Sequence, residues 1–316
     1  MALEQYLNVL SDYHRPIRNA DLMALSGITP EDLGALTEVW TDIDAERREN
    51  ILGRLIEISE NNLDADFNDL FRFCLSDNSP EVKARAIEGL WECDDRRLVA
   101  PLIKLLEYDP SDNVRASAAM GLGKFVVLSQ SGKMLSKDGG RIKESLLQVI
   151  DSAEESGVVK RRAIEALAPF NTTEVREIIQ EIYESDDMEM RCSAVYAMGK
   201  SCDPQWLPVI LLELRNPNPA MRYEASNACG ELGEEPAVPH LMPLFDDDDY
   251  QTQQSAISAV GAIGGSLARK ALLRCLKSSD DSAVDAAQEA LDNLRDGDES
   301  LGFGSDIYPH SPRSAR

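Results

Sequence analysis

Three histidines, six cysteines, a run of four aspartates and one Gly-Leu-Gly-Lys stretch are the residues whose types and spacing could do chemistry in this chain. His14, His240 and His310 lie far apart and are followed by Arg15, Leu241 and Ser311. That leaves little material for a carboxylate–histidine metal cage or a Ser-His-Asp triad. Cys74, Cys93, Cys192, Cys202, Cys229 and Cys275 never form a C-x-x-C pair and sit among apolar helical positions, as reduced packing residues do. Asp246 to Asp249 in "FDDDDY" could draw a divalent cation, but an EF-type loop needs ligands at alternate positions with glycine between. Gly121-Leu122-Gly123-Lys124, in "VRASAAMGLGK", has the look of a phosphate loop. A phosphate loop requires a strand before the glycines and a helix after them.

The elements that hold these residues come from an internal repeat. "NVRASAAMGLGK" has relatives in "EVKARAIEGLWE", "VVKRRAIEALAP", "EMRCSAVYAMGK", "AMRYEASNACGE", "QTQQSAISAVGA" and "SAVDAAQEALDN". Aligned on Val82, Val114, Val159, Met190, Met221, Thr252 and Ala283, the copies are spaced by 32, 45, 31, 31, 31 and 31 residues. A period of that size marks a solenoid of stacked supersecondary units. Four residues after each anchor stands an alanine, and three further on a glycine or alanine. Those spacings fall on one face of a helix, so each copy predicts a buried stripe of small side chains that admits a close neighbour. Three residues before the anchors stand Ser79, Ser111, Ser156, Asp187, Asn218, Asp249 and Asp280, all good N-caps. The second helix of every unit is therefore expected to begin two residues before its anchor. Gly121 and Gly123 then lie inside and near the end of such a helix, which argues against a nucleotide site.

The recurring pattern of a turn acid, then V-R-x-x-A-x-x-A-L-G, resembles the HEAT repeats of phycobilisome lyases over roughly residues 65–294, with a degenerate unit near 33–60 capped by Asp44. The resemblance implies an all-α, right-handed α-α superhelix of the HEAT/armadillo-like solenoid class, with about eight helical hairpins. It also implies a ladder linking turn acids to helix bases. The acid positions hold Asp77, Asp109, Glu154, Ser185, Asn216, Asp247 and Ser278. The base positions hold Lys83, Arg115, Lys160, Arg191, Arg222, Gln253 and Val284, so the ladder is expected to end near residue 250. The HEAT-type deoxyhypusine hydroxylases are similar in repeat design but carry repeated His-Glu pairs as iron ligands, and those pairs are missing here. No catalytic residue, cofactor or metal is expected.

A net charge of −24 repels phosphate and speaks against nucleic-acid partners, which need clustered Lys and Arg. The N-terminus has no cationic start or apolar core, and the longest clean apolar run, "WLPVILL" at 206–212, is far short of the roughly 18–20 residues that span a bilayer. A cytoplasmic monomer without membrane contact is the expectation. Three regions follow: a helical N-terminal cap at 1–32, the solenoid at 33–294 with a loop insertion at 125–143, and a disordered tail at 295–316.

In such arrays the second helices line the concave side. Positions two and six residues past the anchors include Met120, Arg161, Tyr196, Tyr223 and Asn227, with Trp91 near the same edge. Tyr, Trp, Met and Arg are enriched at protein interfaces. Met120, Arg161, Tyr196 and Tyr223 are expected to form a strip for a protein partner with basic flanks. The expected function is a non-catalytic protein-binding scaffold or adaptor. The alternative is a phycobilisome-lyase-like or chaperone-lyase activity on a chromophore or modified protein.

Overall fold

The computed structural model describes residues 10–12 and 14–300. Among them are seventeen α-helices, linked by turns and short 3-10 segments, and no strand. The helices form two compact units that meet in sequence at Phe170 and Asn171, each built from four helical hairpins. In the first unit a short helix, α1 (Asn19–Met23), precedes the hairpins α2 (Pro30–Trp40)/α3 (Ala45–Asn61), α4 (Asn68–Cys74)/α5 (Pro80–Gly89), α6 (Val99–Tyr108)/α7 (Asp112–Gln130) and α8 (Ser136–Asp151)/α9 (Gly157–Leu167). The second unit has α10 (Thr173–Tyr183)/α11 (Met188–Lys200), α12 (Leu207–Glu213)/α13 (Pro219–Leu232), α14 (Val238–Leu241)/α15 (Tyr250–Ile263) and α16 (Gly265–Cys275)/α17 (Asp281–Ser300).

The repeat dictates this arrangement residue by residue. All seven predicted second helices begin two residues before their anchors. Ser79, Asp187, Asn218, Asp249 and Asp280 accept hydrogen bonds from first-turn amides, satisfying donors the helix leaves open. Ser111 and Ser156 occupy the cap position without capping. There Asp109 and Glu155 take the serine amides instead. Within each unit the second helices stack in chain order: α3, α5, α7 and α9 in the first, α11, α13, α15 and α17 in the second. The alanines four past the anchors, from Ala86 to Ala287, are fully buried at these contacts. The first helices add the larger apolar groups, such as Leu102, Ile103 and Leu106 of α6.

Two expectations about irregular segments need correction. Residues 125–143 are not a loop: α7 continues to Gln130 and α8 starts at Ser136, leaving only 131–135 between them. Gly139 and Gly140 suggested a turn, but a Cβ on Gly139 would collide with the Ser129 side chain. That glycine serves a close approach of two helices. Phe125 and Val126 are buried in the extension. At the other end, helix α17 runs on to Ser300, past the expected tail start at 295. The remainder of the tail, 301–316, and residues 1–9 of the expected cap lie outside the described residues.

Candidate functional site

The Gly-Leu-Gly-Lys stretch lies within α7, and its glycines and lysine are engaged in packing and hydrogen bonding. A Cβ on Gly123 would touch Ala166 of α9 at 3.4 Å. The same pairing recurs as Gly199 with Ala228, Gly230 with Ala259 and Gly261 with Ala290. Each glycine, nine past its anchor, receives the alanine seven past the next anchor. Lys124 Nζ donates to the carbonyls of Leu90 (3.3 Å), Trp91 (2.7 Å) and Cys93 (2.6 Å), closing the end of α5. These are carbonyls that a helix terminus leaves open.

Within each unit the acid–base ladder is built, with two changes of partner and an added rung at the start of the first unit and the end of the second. Arg48 pairs with Asp77 at 2.9 Å, Lys83 with Asp109, and Arg115 with Glu155 at 2.8 Å. In the second unit Arg191 pairs with Glu213 at 3.1 Å and Arg222 with Asp247 at 2.7 Å. Glu155 thus stands in for Glu154, and Glu213 for the neutral Asn216, whose amide it accepts at 2.6 Å. The ladder does not stop near residue 250, because Gln253 donates to Asp280 at 2.9 Å. The acceptor is the cap residue Asp280, two residues past the regular acid position, which holds Ser278. Arg48 was not anticipated, although it follows the Asp44 cap at the same spacing as Lys83 follows Ser79.

These pairs account for the strongest charges as architecture. Asp247 is engaged by Arg222 and Asp249 caps α15, so the tetra-aspartate run is a capping turn. No cluster of three or more His, Cys, Asp and Glu fit to hold a metal ion exists among the described residues. All six cysteines are free thiols, and burial pushes Cys229 up to about 12. No helix among the described residues is long and apolar enough to cross a membrane.

The six candidate interface residues divide between the units. In the first, Trp91 and Met120 come together in a groove of about 460 Å³ between α5 and α7, with Glu49, Glu81, Arg85 and Glu88 on its walls. Both large side chains are exposed. Arg161 on α9 is half-buried, does not line that groove, and is already engaged within the chain. In the second unit Tyr196 and Asn227 line a groove of about 410 Å³ with Lys200, Glu231 and Ser258. Lys200 Nζ bonds Glu231 and lies 5.6 Å from the Tyr196 ring centroid. Burial lowers its pKa, but Glu231 and Tyr196 outweigh that and hold the ammonium above its ordinary value. The Ser255 hydroxyl donates to Asn227 Oδ1 at 2.7 Å and so holds the amide in place. Tyr223 is exposed one turn before Asn227 on α13. Lys200 was missed, yet its offset from Met190 equals that of Lys124 from Val114.

The repeat is matched by a family model. The family model for HEAT repeats matches residues 68–133, 144–211 and 207–292. A deoxyhypusine hydroxylase of Candida albicans is 19% identical over 199 residues, which is 57% of this chain and 63% of that protein. The chain thus spans less than two thirds of that relative's length. Among solved structures, the complex of CpcE and CpcF of phycocyanin lyase from Nostoc sp. PCC7120 has a TM-score of 0.54 at 15% identity, covering 90% of this chain and 97% of that one. Human deoxyhypusine hydroxylase in complex with glycerol has a TM-score of 0.34 at 17% identity, covering 93% and 96%.

Proposed function

Since the chain belongs to the HEAT-repeat family, we propose that it is a non-catalytic protein-binding scaffold that engages its partner through the exposed faces of its second helices. The observation that carries this reading is the contrast along those helices. Positions four past the anchors are fully buried, while Met120 and Tyr223, and Trp91 in the turn just past α5, are large and exposed. Exposed aromatic and Met side chains beside polar rims are what interface anchors look like. The net charge of −24 favours a partner with basic flanks, whose association quickens at low salt. The same reading makes the protein a cytoplasmic monomer without nucleic-acid or membrane contact.

Capture of partners by the tagged protein, followed by mass spectrometry, tests it. Tyr196→Ala with Tyr223→Ala is expected to abolish recovery of the principal partner while leaving the melting curve nearly unchanged. Recovery at wild-type yield would remove this face as the site. A second reading, lyase-like action on a chromophore or modified protein, draws on the fold shared with the phycocyanin lyase complex. Incubation with a free tetrapyrrole and an acceptor protein would reveal it as a covalent shift in acceptor absorbance and mass.

A further inference from the structure

One second-helix end departs from the repeat. Trp91 stands nine residues past Val82, at the position held by Gly123, Gly199, Gly230 and Gly261 in their repeats. Each of those glycines receives an alanine from the second helix of the next hairpin. The residue in the alanine's register opposite Trp91 is Gly121, and both line the same groove. A Cβ on Gly121 would meet Ile87 at 3.2 Å and Leu102 at 3.5 Å, so the regular glycine–alanine contact is absent at this step. The indole stays at the surface: Trp91 is 54% exposed and Met120 44%.

The walls around this apolar floor are acidic. Glu49, Glu81 and Glu88 face one cation, Arg85. That guanidinium is held by Glu88 at 2.8 Å and Glu49 at 3.4 Å. Lys124, close by in sequence to Met120, is turned onto carbonyls at the end of α5. An apolar floor under a carboxylate rim fits a side chain that is apolar along its stem and cationic at its tip. Among the natural side chains only arginine and lysine have that form, and a guanidinium also stacks on an indole face. Glu81 accepts from the Ser79 hydroxyl at 2.7 Å, but the three carboxylates still outnumber their one cation, so an acidic segment would be repelled and a cationic one drawn in.

Building on the scaffold reading above, we propose that the Trp91–Met120 groove takes an arginine- or lysine-bearing segment of the partner. Its aliphatic stem lies on Met120, and its cationic head lies over Trp91 within reach of Glu81 and Glu88.

Tryptophan fluorescence provides the test, because Trp40 and Trp206 are buried and Trp91 is the exposed indole. The full chain is titrated with a short arginine–glycine peptide and with its citrulline counterpart, which keeps the shape and loses the charge. The arginine peptide is expected to shield Trp91 from acrylamide and to bind about tenfold more tightly than the citrulline peptide, less so at high salt. Glu81→Gln with Glu88→Gln, checked for an unchanged melting curve, is expected to remove that preference. Equal shielding by both peptides would overturn the cationic assignment while leaving the groove a docking site. Shielding by neither would also overturn it, and the scaffold reading would then stand or fall on Tyr196 and Tyr223, which this titration does not touch.

Discussion

A Cβ on Gly199 would sit 2.7 Å from the Cα of Ala228 and 2.9 Å from its Cβ. The obstacle is backbone, so no rotamer change relieves it. Gly199→Ala is expected to cost roughly 1–3 kcal/mol by overpacking. Gly53, within α3, has nothing within 4 Å of a built Cβ. There the same change is expected to stabilise by about 0.5–1 kcal/mol through helix propensity. A urea midpoint for Gly199→Ala that does not fall below wild type would reject the close-approach role of the glycine. Ala194→Leu, at a fully buried stripe position, is expected to lose about 1–3 kcal/mol by the same mechanism.

The ladder predicts a pH signature. Arg222 grips Asp247 through two hydrogen bonds of 2.8 and 2.7 Å. Burial pushes the Asp247 pKa up, but Arg222 and the Asp249 amide outweigh it and hold the carboxyl below its ordinary value. A carboxyl lowered in the folded state contributes stability that is complete above its unfolded pKa of about 3.9 and lost as pH falls through the folded value. Arg222→Met leaves the half-buried Asp247 without its cation, so it is expected to cost roughly 2–3 kcal/mol near neutral pH. The gap from wild type should close as pH drops below about 4 and the stranded carboxylate takes up a proton. A gap that stays constant over that range contradicts the rung.

Thiol reactivity separates the cysteines by position. Cys202 is exposed in a turn with φ of 50°, whereas Cys74, Cys229 and Cys275 are buried. Burial raises the thiol pKa of all three buried residues, suppressing the reactive thiolate. Mild alkylation of the native protein, read by peptide mass spectrometry, is expected to label Cys202 first and Cys229 only on unfolding. Early labelling of Cys229 would mean that α13 does not pack as described.

The sequence carried the hairpin register because burial, capping and close approach all act at a constant offset from one anchor. Val82 and Ala283 obey the same rules although their neighbours share few other residues. The misreadings arose where two physical reasons demand the same residue type. Glycine at 139 serves a close helix approach to Ser129, and nothing local distinguishes that from a turn. The ladder's shift from Asn216 to Glu213 depends on which side chain reaches Arg191 in space, three residues from the regular position. Trp91 and Met120 were legible as candidates, but their acidic walls come partly from Glu49, in another hairpin. Tertiary stacking brought that residue in.

The most direct test of the central claim replaces Tyr223 with a photo-crosslinking benzoylphenylalanine, and Leu212 in a parallel variant. Both positions are exposed, but Tyr223 lies on a second helix and Leu212 on a first helix of the same hairpin. Irradiation with the partner recovered by capture should yield a crosslinked product from position 223 and none from position 212. A product from position 212 alone would contradict the account and place the partner on the first helices instead.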